Sequence, residues 1–410
     1  MEKILVTGMG AICSVGKNLE QIWDNLLNGN SGIGPITLFD PEGINVQVAC
    51  EVKDFDPSEY ILKKKARRRD RYQHFAAIAV KEALNHSGLA ITEENASRIG
   101  VIISTGIGGI ESLEGGIHRV AELGPRKVNP FAIPMLMANG ASGLVGIDHG
   151  AKGPAFAVSS ACASGQDGIG VAWMMLRSGM IDVAIVGASE APITRFGVAA
   201  FERIGATTTR GLQDLTPSPF DRNRDGLVMG EGAAILILET EIHAKSRGAN
   251  IYAELAGYSA TADAFHITAP HAEGAGGSRA MSGALETAEI DLHKVDYINA
   301  HGTGTPLNDV AETRAIKNTF GKRAYDIPIS STKSMTGHMM GATGALEAII
   351  CVQTIRNDVI PPTINYVEQD PECDLDYVPN KAREKQVNNT ITNAFGFGGH
   401  NAVLAIRNYN

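Results

Sequence analysis

The chain has 410 residues, 44% apolar and 20% charged, enough to bury a large core and unlike a disordered or fibrous protein. A formal net charge of −9 argues against a generally basic, nucleic-acid-binding surface. Five scattered cysteines with no C-x-x-C pair argue against a disulfide framework or a zinc ribbon.

In chain order, Lys3–Thr7 reads as a strand running into a glycine turn at Gly8. Phe75–Ser87 reads as a helix and Ile99–Ser104 as a strand. Gly165–Ser178 is a second helix, followed by strands Val183–Gly187, Ala233–Leu238 and Tyr297–Ala300. Helices Asp309–Phe320 and Gly341–Arg356 and a strand Ala402–Ile406 complete the series. This alternation predicts an α/β layered fold. Two faint echoes run through it. Ser159–Gly165 and Ser331–His338 each lead into a long helix, and Asp225–Gly232 and Phe395–Asn401 are glycine loops before an apolar strand. The same order in both places predicts duplicated halves, 1–250 and 251–410, with a site between them. No apolar run approaches a membrane span and no signal-peptide layout is present, so the expected location is the reducing cytoplasm.

Cys162 lies in Ser-Ser-Ala-Cys-Ala-Ser-Gly, directly before a helix. Small neighbours permit a sharp turn that lifts the thiol into a cleft. The positive end of a helix dipole is expected to lower the thiol pKa, and the backbone N–H to face a developing oxyanion. A buried cysteine packing a turn is the competing reading.

Two histidine motifs tilt the balance. Asn299-Ala300-His301-Gly302-Thr303-Gly304-Thr305-Pro306 follows a strand, and its two threonines, two apart, face the same way if the loop is extended. There they suit a polar linear ligand; threonines bonding their own turn are the alternative. Lys333-Ser334-Met335-Thr336-Gly337-His338 precedes a helix carrying Glu347. A lysine in such apolar company needs an anionic partner, Glu347 or Asp309, and its charge would disfavour protonation of the histidines. The loop Phe395-Gly396-Phe397-Gly398-Gly399 is either a gate to an apolar tunnel or a structural turn. Lys63, Lys64, Lys65, Arg67, Arg68, Arg69 and Arg71 form a basic run in an acidic chain, with Arg126-Lys127 as a second cluster. A solvated helix face competes with a dock for an acidic protein.

Together these motifs resemble the β-ketoacyl-[acyl-carrier-protein] synthases of the elongating, synthase II type. The resemblance rests on Ala-Cys-Ala-Ser-Gly at 161–165, His-Gly-Thr-Gly-Thr at 301–305, Lys-Ser-Met-Thr-Gly-His at 333–338 and Phe-Gly-Phe-Gly-Gly at 395–399, with Pro219-Phe220-Asp221 and Arg224-Asp225-Gly226. It implies a thiolase fold, five layers α-β-α-β-α in two related halves, as a homodimer. It implies Cys162 as acyl acceptor, and the N–H groups of Cys162 and Phe397 as the oxyanion hole. His301 and His338 would serve malonyl decarboxylation, with Lys333 held by Glu347. Thr303 and Thr305 would bind the pantetheine arm, with Phe397 as the gate residue, Phe395 as a substrate-binding residue and Ile107 at the bottom of the acyl pocket. Lys64, Arg67, Arg68, Arg126 and Lys127 would dock the acyl carrier protein. No redox cofactor is implied, and no catalytic metal; a monovalent cation near Asn299, Glu347 and Asn393 comes from the resemblance alone. Two positions depart from the family: His400, where a threonine is frequent, and Gly205, where some members carry a basic docking residue, a part Arg203 or Arg210 would then take.

The Cys-His-His set separates the chain from Cys-His-Asn relatives, and Gly399-His400-Asn401 from thiolases, which carry a second cysteine there. Three alternatives stay open: a ketosynthase of a polyketide or aryl-polyene pathway, a non-catalytic chain-length subunit, and a coenzyme A-dependent degradative thiolase.

Overall fold

The protein is described by a computed structural model covering residues 2–409. Ten strands form one continuous mixed sheet. The first five are Ile4–Cys13, Ile99–Ser104, Ala155–Phe156, Val183–Glu190 and Gly232–Thr240. The second five are Ala253–Ala262, Tyr297–Asn299, Ile329–Ser330, Asn389–Gly396 and His400–Arg407. Within each set the spatial order is third, second, fourth, fifth, first. Within each set the second strand is parallel to the third and fourth, and the fifth is antiparallel to the fourth and first. The sets join where Ile4–Val6 pairs antiparallel with Ala253–Leu255.

Helices complete five layers. Arg71–Ser87 packs on the outer face of the first set, and Ala275–Ala288 on that of the second with Pro306–Phe320 beside it. Ser164–Arg177 and Thr343–Asn357 lie between the sets and touch strands of both. Each central helix sits between the third and fourth strands of its set. The two glycine loops noted above each lead into a fifth strand. The echoes are therefore topologically equivalent positions. A strand covered on both faces reads as a continuous apolar run, as Val183–Ala188 does, and all of Val183–Glu190 is buried.

Gly8 is not a turn. The first strand runs on to Cys13, with a register shift between Val6 and Gly8. A Cβ on Gly8 would lie 2.5 Å from Ala83 O, and one on Gly10 2.3 Å from Ala79 O. The glycines let helix Arg71–Ser87 press directly on the strand. That helix also starts four residues before the expected Phe75, because Asp70 caps it and Gln73 completes the capping box.

Candidate active site

The nucleophile turn is built by its neighbours. Ala161 adopts a left-handed φ of +52°, and Ser164 Oγ donates to Ala161 O at 2.6 Å while accepting from the Ser160 N–H at 2.9 Å. A Cβ on Gly396 would lie 2.8 Å from Ser160 O and 3.1 Å from Cys162 N, so glycine there admits the Phe395–Gly399 loop against the turn. The backbone N–H groups of Phe397 and Cys162 both bear on the sulfur. The thiol is not activated at rest as the helix-dipole argument predicts. Burial pushes Cys162 up to about 11, outweighing Lys333 and the two N–H groups that act downward.

Cys162, His301, Thr303, Thr305, His338, Phe395 and Phe397 line one cavity of about 280 Å³. The His301 and His338 rings stand edge to face at 5.4 Å, and Phe395 lies 5.8 Å from His301. Glu312 fixes the first histidine by accepting from the N–H groups of His301 (2.8 Å) and Gly302 (2.7 Å). His338 is held by its N–H to Val228 O at 2.7 Å, and its Nδ1 lies 3.1 Å from Thr343 Oγ1. His301 Nδ1 and His338 Nε2 are buried without a protein partner. Both imidazoles are held well below the ordinary histidine range, chiefly by burial and then by the charge of Lys333. Lys333 acts in the direction expected from the sequence, and burial is the larger cause.

Lys333 pairs with Glu347 at 2.5 Å, both out of water. Burial pushes the Glu347 carboxyl up, against the pull of Lys333. Asp309, the other candidate partner, is engaged elsewhere. It accepts from the N–H groups of Phe220, Thr303 and Gly304 and lies 3.7 Å from Arg224. Arg224 also donates to Thr305 O and Pro306 O, so this pair holds the threonine loop. The Thr303 and Thr305 hydroxyls are 2.9 Å apart on the cavity wall.

Glu347 Oε2 and Asn393 Oδ1 are buried without partners, and Asn299 Oδ1 takes only a 3.4 Å bond from Thr392. Each is a hard oxygen short of a hydrogen-bond donor, the ligand chemistry that a monovalent cation takes. Among the described residues, no His, Cys, Asp and Glu cluster forms a metal site, and no helix is long and apolar enough to cross a membrane. The five cysteines are free thiols.

Ile107 is not among the residues lining the Cys162 cavity; it is 38% exposed on the surface of the single chain. The basic run divides. Lys65 and Arg69 pair with Asp148, and Arg71 with Glu231 at 2.6 Å. Lys63, Lys64, Arg67 and Arg68 are exposed, as are Arg126 and Lys127. Arg68 lies over the Phe131 ring at 4.5 Å, close in the chain to Arg126-Lys127. Gly205 caps helix Arg195–Ile204 with φ +74°, a conformation that favours glycine over arginine. Arg203 is exposed beside it, whereas Arg210 lies 3.6 Å from Asp225. His400 is exposed next to Gly398.

Phe201, stacked on Phe397 at 6.4 Å, along with Asp263, Leu227 and Met340, lines the cavity without having been singled out. None carries a local signature. Glu312 had one: Asp309 and Glu312 stand in the first turns of a helix opened by Thr305-Pro306, where carboxylates meet loop N–H groups.

Residues 1–244 match the beta-ketoacyl synthase N-terminal domain and residues 252–367 its C-terminal domain. The chain is 47% identical over 408 residues to a 3-oxoacyl-[acyl-carrier-protein] synthase 2 of Staphylococcus aureus (strain COL), covering 100% of this chain and 99% of the relative. A synthase of the same name from Synechocystis sp. is 48% identical over 409 residues, 100% and 98% of the two chains. A solved type II polyketide ketosynthase, in complex with its acyl-carrier protein, superposes over 100% of both chains with a TM-score of 0.92 at 35% identity.

Proposed function

The chain belongs to the beta-ketoacyl synthase family, and from that premise we propose that it condenses acyl-[acyl-carrier-protein] with malonyl-[acyl-carrier-protein]. The products are 3-oxoacyl-[acyl-carrier-protein] and CO2, as in fatty acid chain elongation. The observation that carries this reading is the meeting of Cys162, His301 and His338 in one apolar cavity. Identity of 47–48% to elongating synthases against 35% to a polyketide ketosynthase favours elongation over the polyketide alternative.

Cys162 attacks the acyl thioester, and its proton passes to the departing pantetheine thiolate. The covalent acyl-enzyme divides one hard step into two. The N–H groups of Cys162 and Phe397 stabilise the tetrahedral oxyanion. The positive charge of Lys333 supports the sulfur as it becomes anionic, offsetting burial at the moment of attack. Malonyl then loses CO2. Its enolate oxygen accepts hydrogen bonds from neutral His301 and His338. We assign the His338 proton to Nε2, which leaves Nδ1 to accept from the Thr343 hydroxyl 3.1 Å away. The enolate attacks the acyl thioester, and the Cys162 thiolate leaves and regains a proton. Thr303 and Thr305 orient the pantetheine arm, and Phe395 and Phe397 gate the cavity. Asn299, Glu347 and Asn393 would hold a monovalent cation, which supplies structural charge and takes no part in bond making.

The acyl carrier protein docks on Lys64, Arg67, Arg68, Arg126 and Lys127, with its acidic surface steered by charge. A homodimer is supported by helix Ile110–Leu123, which buries only Ile110 and leaves Leu113, Ile117, Val120 and Leu123 exposed. Ile107 lies at the start of this segment, so its exposed face belongs to the same interface. The cytoplasm suits five free thiols and a soluble carrier substrate. Intact-protein mass spectrometry with acyl-carrier thioesters tests the reading. Wild type gains the acyl mass and Cys162→Ala does not, and malonyl-carrier then discharges it with release of CO2. Loading of Cys162→Ala at the parental rate would overturn it.

A further inference from the structure

Glu190 ends the strand Val183–Glu190 as a fully buried carboxylate. Its partners are a hydroxyl and backbone N–H groups rather than a cation. Oε1 accepts from Thr105 Oγ1 (2.6 Å) and from the N–H groups of Ile107 (3.1 Å) and Gly108 (3.4 Å). Oε2 accepts from the N–H groups of Gly106 (2.7 Å) and Gly341 (3.1 Å). A carboxylate is retained in such a place only when donors surround it.

These donors belong to two segments far apart in the chain. Thr105–Gly108 carries Ile107. Met340–Gly341 follows His338 from the other half of the fold. The Cys162 turn closes the junction: a Cβ on Gly106 would lie 3.0 Å from Glu190 Oε2 and 3.2 Å from Ala161 O. A Cβ on Gly341 would lie 2.5 Å from Gly106 N, and one on Gly165 2.7 Å from Gly341 O. Glycine at all three positions brings backbone to backbone around one side chain.

We infer that Glu190 is a positioning residue whose carboxylate locks the Ile107 loop and the His338–Gly341 loop against the Cys162 turn. It thereby sets the nucleophile turn against the loop that carries His338. The catalytic meaning of that setting rests on the condensing-enzyme reading; the contacts themselves do not. Burial pushes the Glu190 carboxyl up against the pull of these donors, and its charge acts to raise the Cys162 thiol, behind burial, Lys333 and the Phe397 N–H.

Glu190→Gln keeps the size but loses the charge and turns an N–H₂ toward N–H donors. Thr105→Val removes one donor and keeps the shape. Three readouts apply to each: the melting temperature, the pH dependence of Cys162 alkylation by iodoacetamide, and the rate of acyl loading by mass spectrometry. Folded Glu190→Gln is expected to shift the alkylation curve to lower pH and to slow acyl loading about tenfold or more. Thr105→Val is expected to slow loading by less. A folded Glu190→Gln with the parental alkylation curve overturns the inference, whether loading is unchanged or uniformly reduced. Where Glu190→Gln does not fold, Thr105→Val decides, and a parental loading rate overturns it. Where wild type loads no acyl donor, the condensing reading fails. The alkylation curve still separates a positioning Glu190, which shifts it, from a purely structural one, which does not.

Discussion

Lys333 Nζ and Glu347 Oε1 stand 2.5 Å apart with both side chains out of water. Removing one partner strands the other charge, while removing both replaces it with packing. Glu347→Leu is expected to cost about 3–5 kcal/mol of unfolding free energy. Lys333→Met/Glu347→Leu is expected to regain most of that without regaining condensation, because the positive charge near Cys162 is gone. Urea unfolding and turnover measured on the same variants check this. A double variant as unstable as the single, or as active as wild type, would show the pair acts otherwise.

Resting Cys162 is a thiol, held up to about 11 by burial. Its alkylation by iodoacetamide is therefore expected to rise about tenfold per pH unit from pH 7 to pH 10. Lys333→Met is expected to displace the curve to higher pH, since Lys333 lowers the thiol. Peptide mapping separates Cys162 from Cys13, Cys50, Cys351 and Cys373, all buried. A plateau already reached below pH 8 would restore the thiolate that the helix position alone suggests.

His301 and His338 stay neutral in the folded chain, but near their ordinary value of about 6.5 in the unfolded one. Below that pH the unfolded state binds more protons, so stability falls as pH falls through about 6.5 and is fully present above it. Each histidine contributes up to about 1.4 kcal/mol per pH unit in that window. Denaturation between pH 7.5 and pH 5 should show the slope, and His338→Gln should reduce it. An unchanged slope in that variant would place the titration on other groups.

Why some of this was legible in the sequence and some was not follows from how each residue acts. Cys162, His301, Lys333 and His338 announce themselves because short-range constraints surround them: a left-handed Ala161, small residues at a turn, glycines at close approaches. The duplicated order of strands was visible as two echoes, since each echo marks a connection that the topology repeats. Glu190, Phe201 and Asp263 act across long sequence separations, where no spacing records the contact. Gly8 misled because glycine marks both a turn and a place where a helix presses on a strand. The basic run divides in a way the sequence does not show, because charge in sequence does not reveal which cations, here Lys65, Arg69 and Arg71, are already paired. The thiol of Cys162 was misjudged because a helix dipole is local and desolvation is a property of the whole site.

Those paired and unpaired cations can be told apart in solution. Arg67→Glu, Arg68→Glu and Lys127→Glu reverse exposed charges, of which Arg68 also lies over the half-buried Phe131 ring. They are expected to raise KM for acyl-carrier substrates, by about tenfold in combination, with kcat and melting temperature near parental. The wild-type kcat/KM should fall as salt rises and that of the triple variant should be nearly flat. Arg69→Ala does the reverse. It leaves Asp148 with only the exposed Lys65, so the melting temperature should drop while the salt dependence of KM stays. If the triple variant kept the parental KM and salt slope, the carrier protein would have to dock on another face.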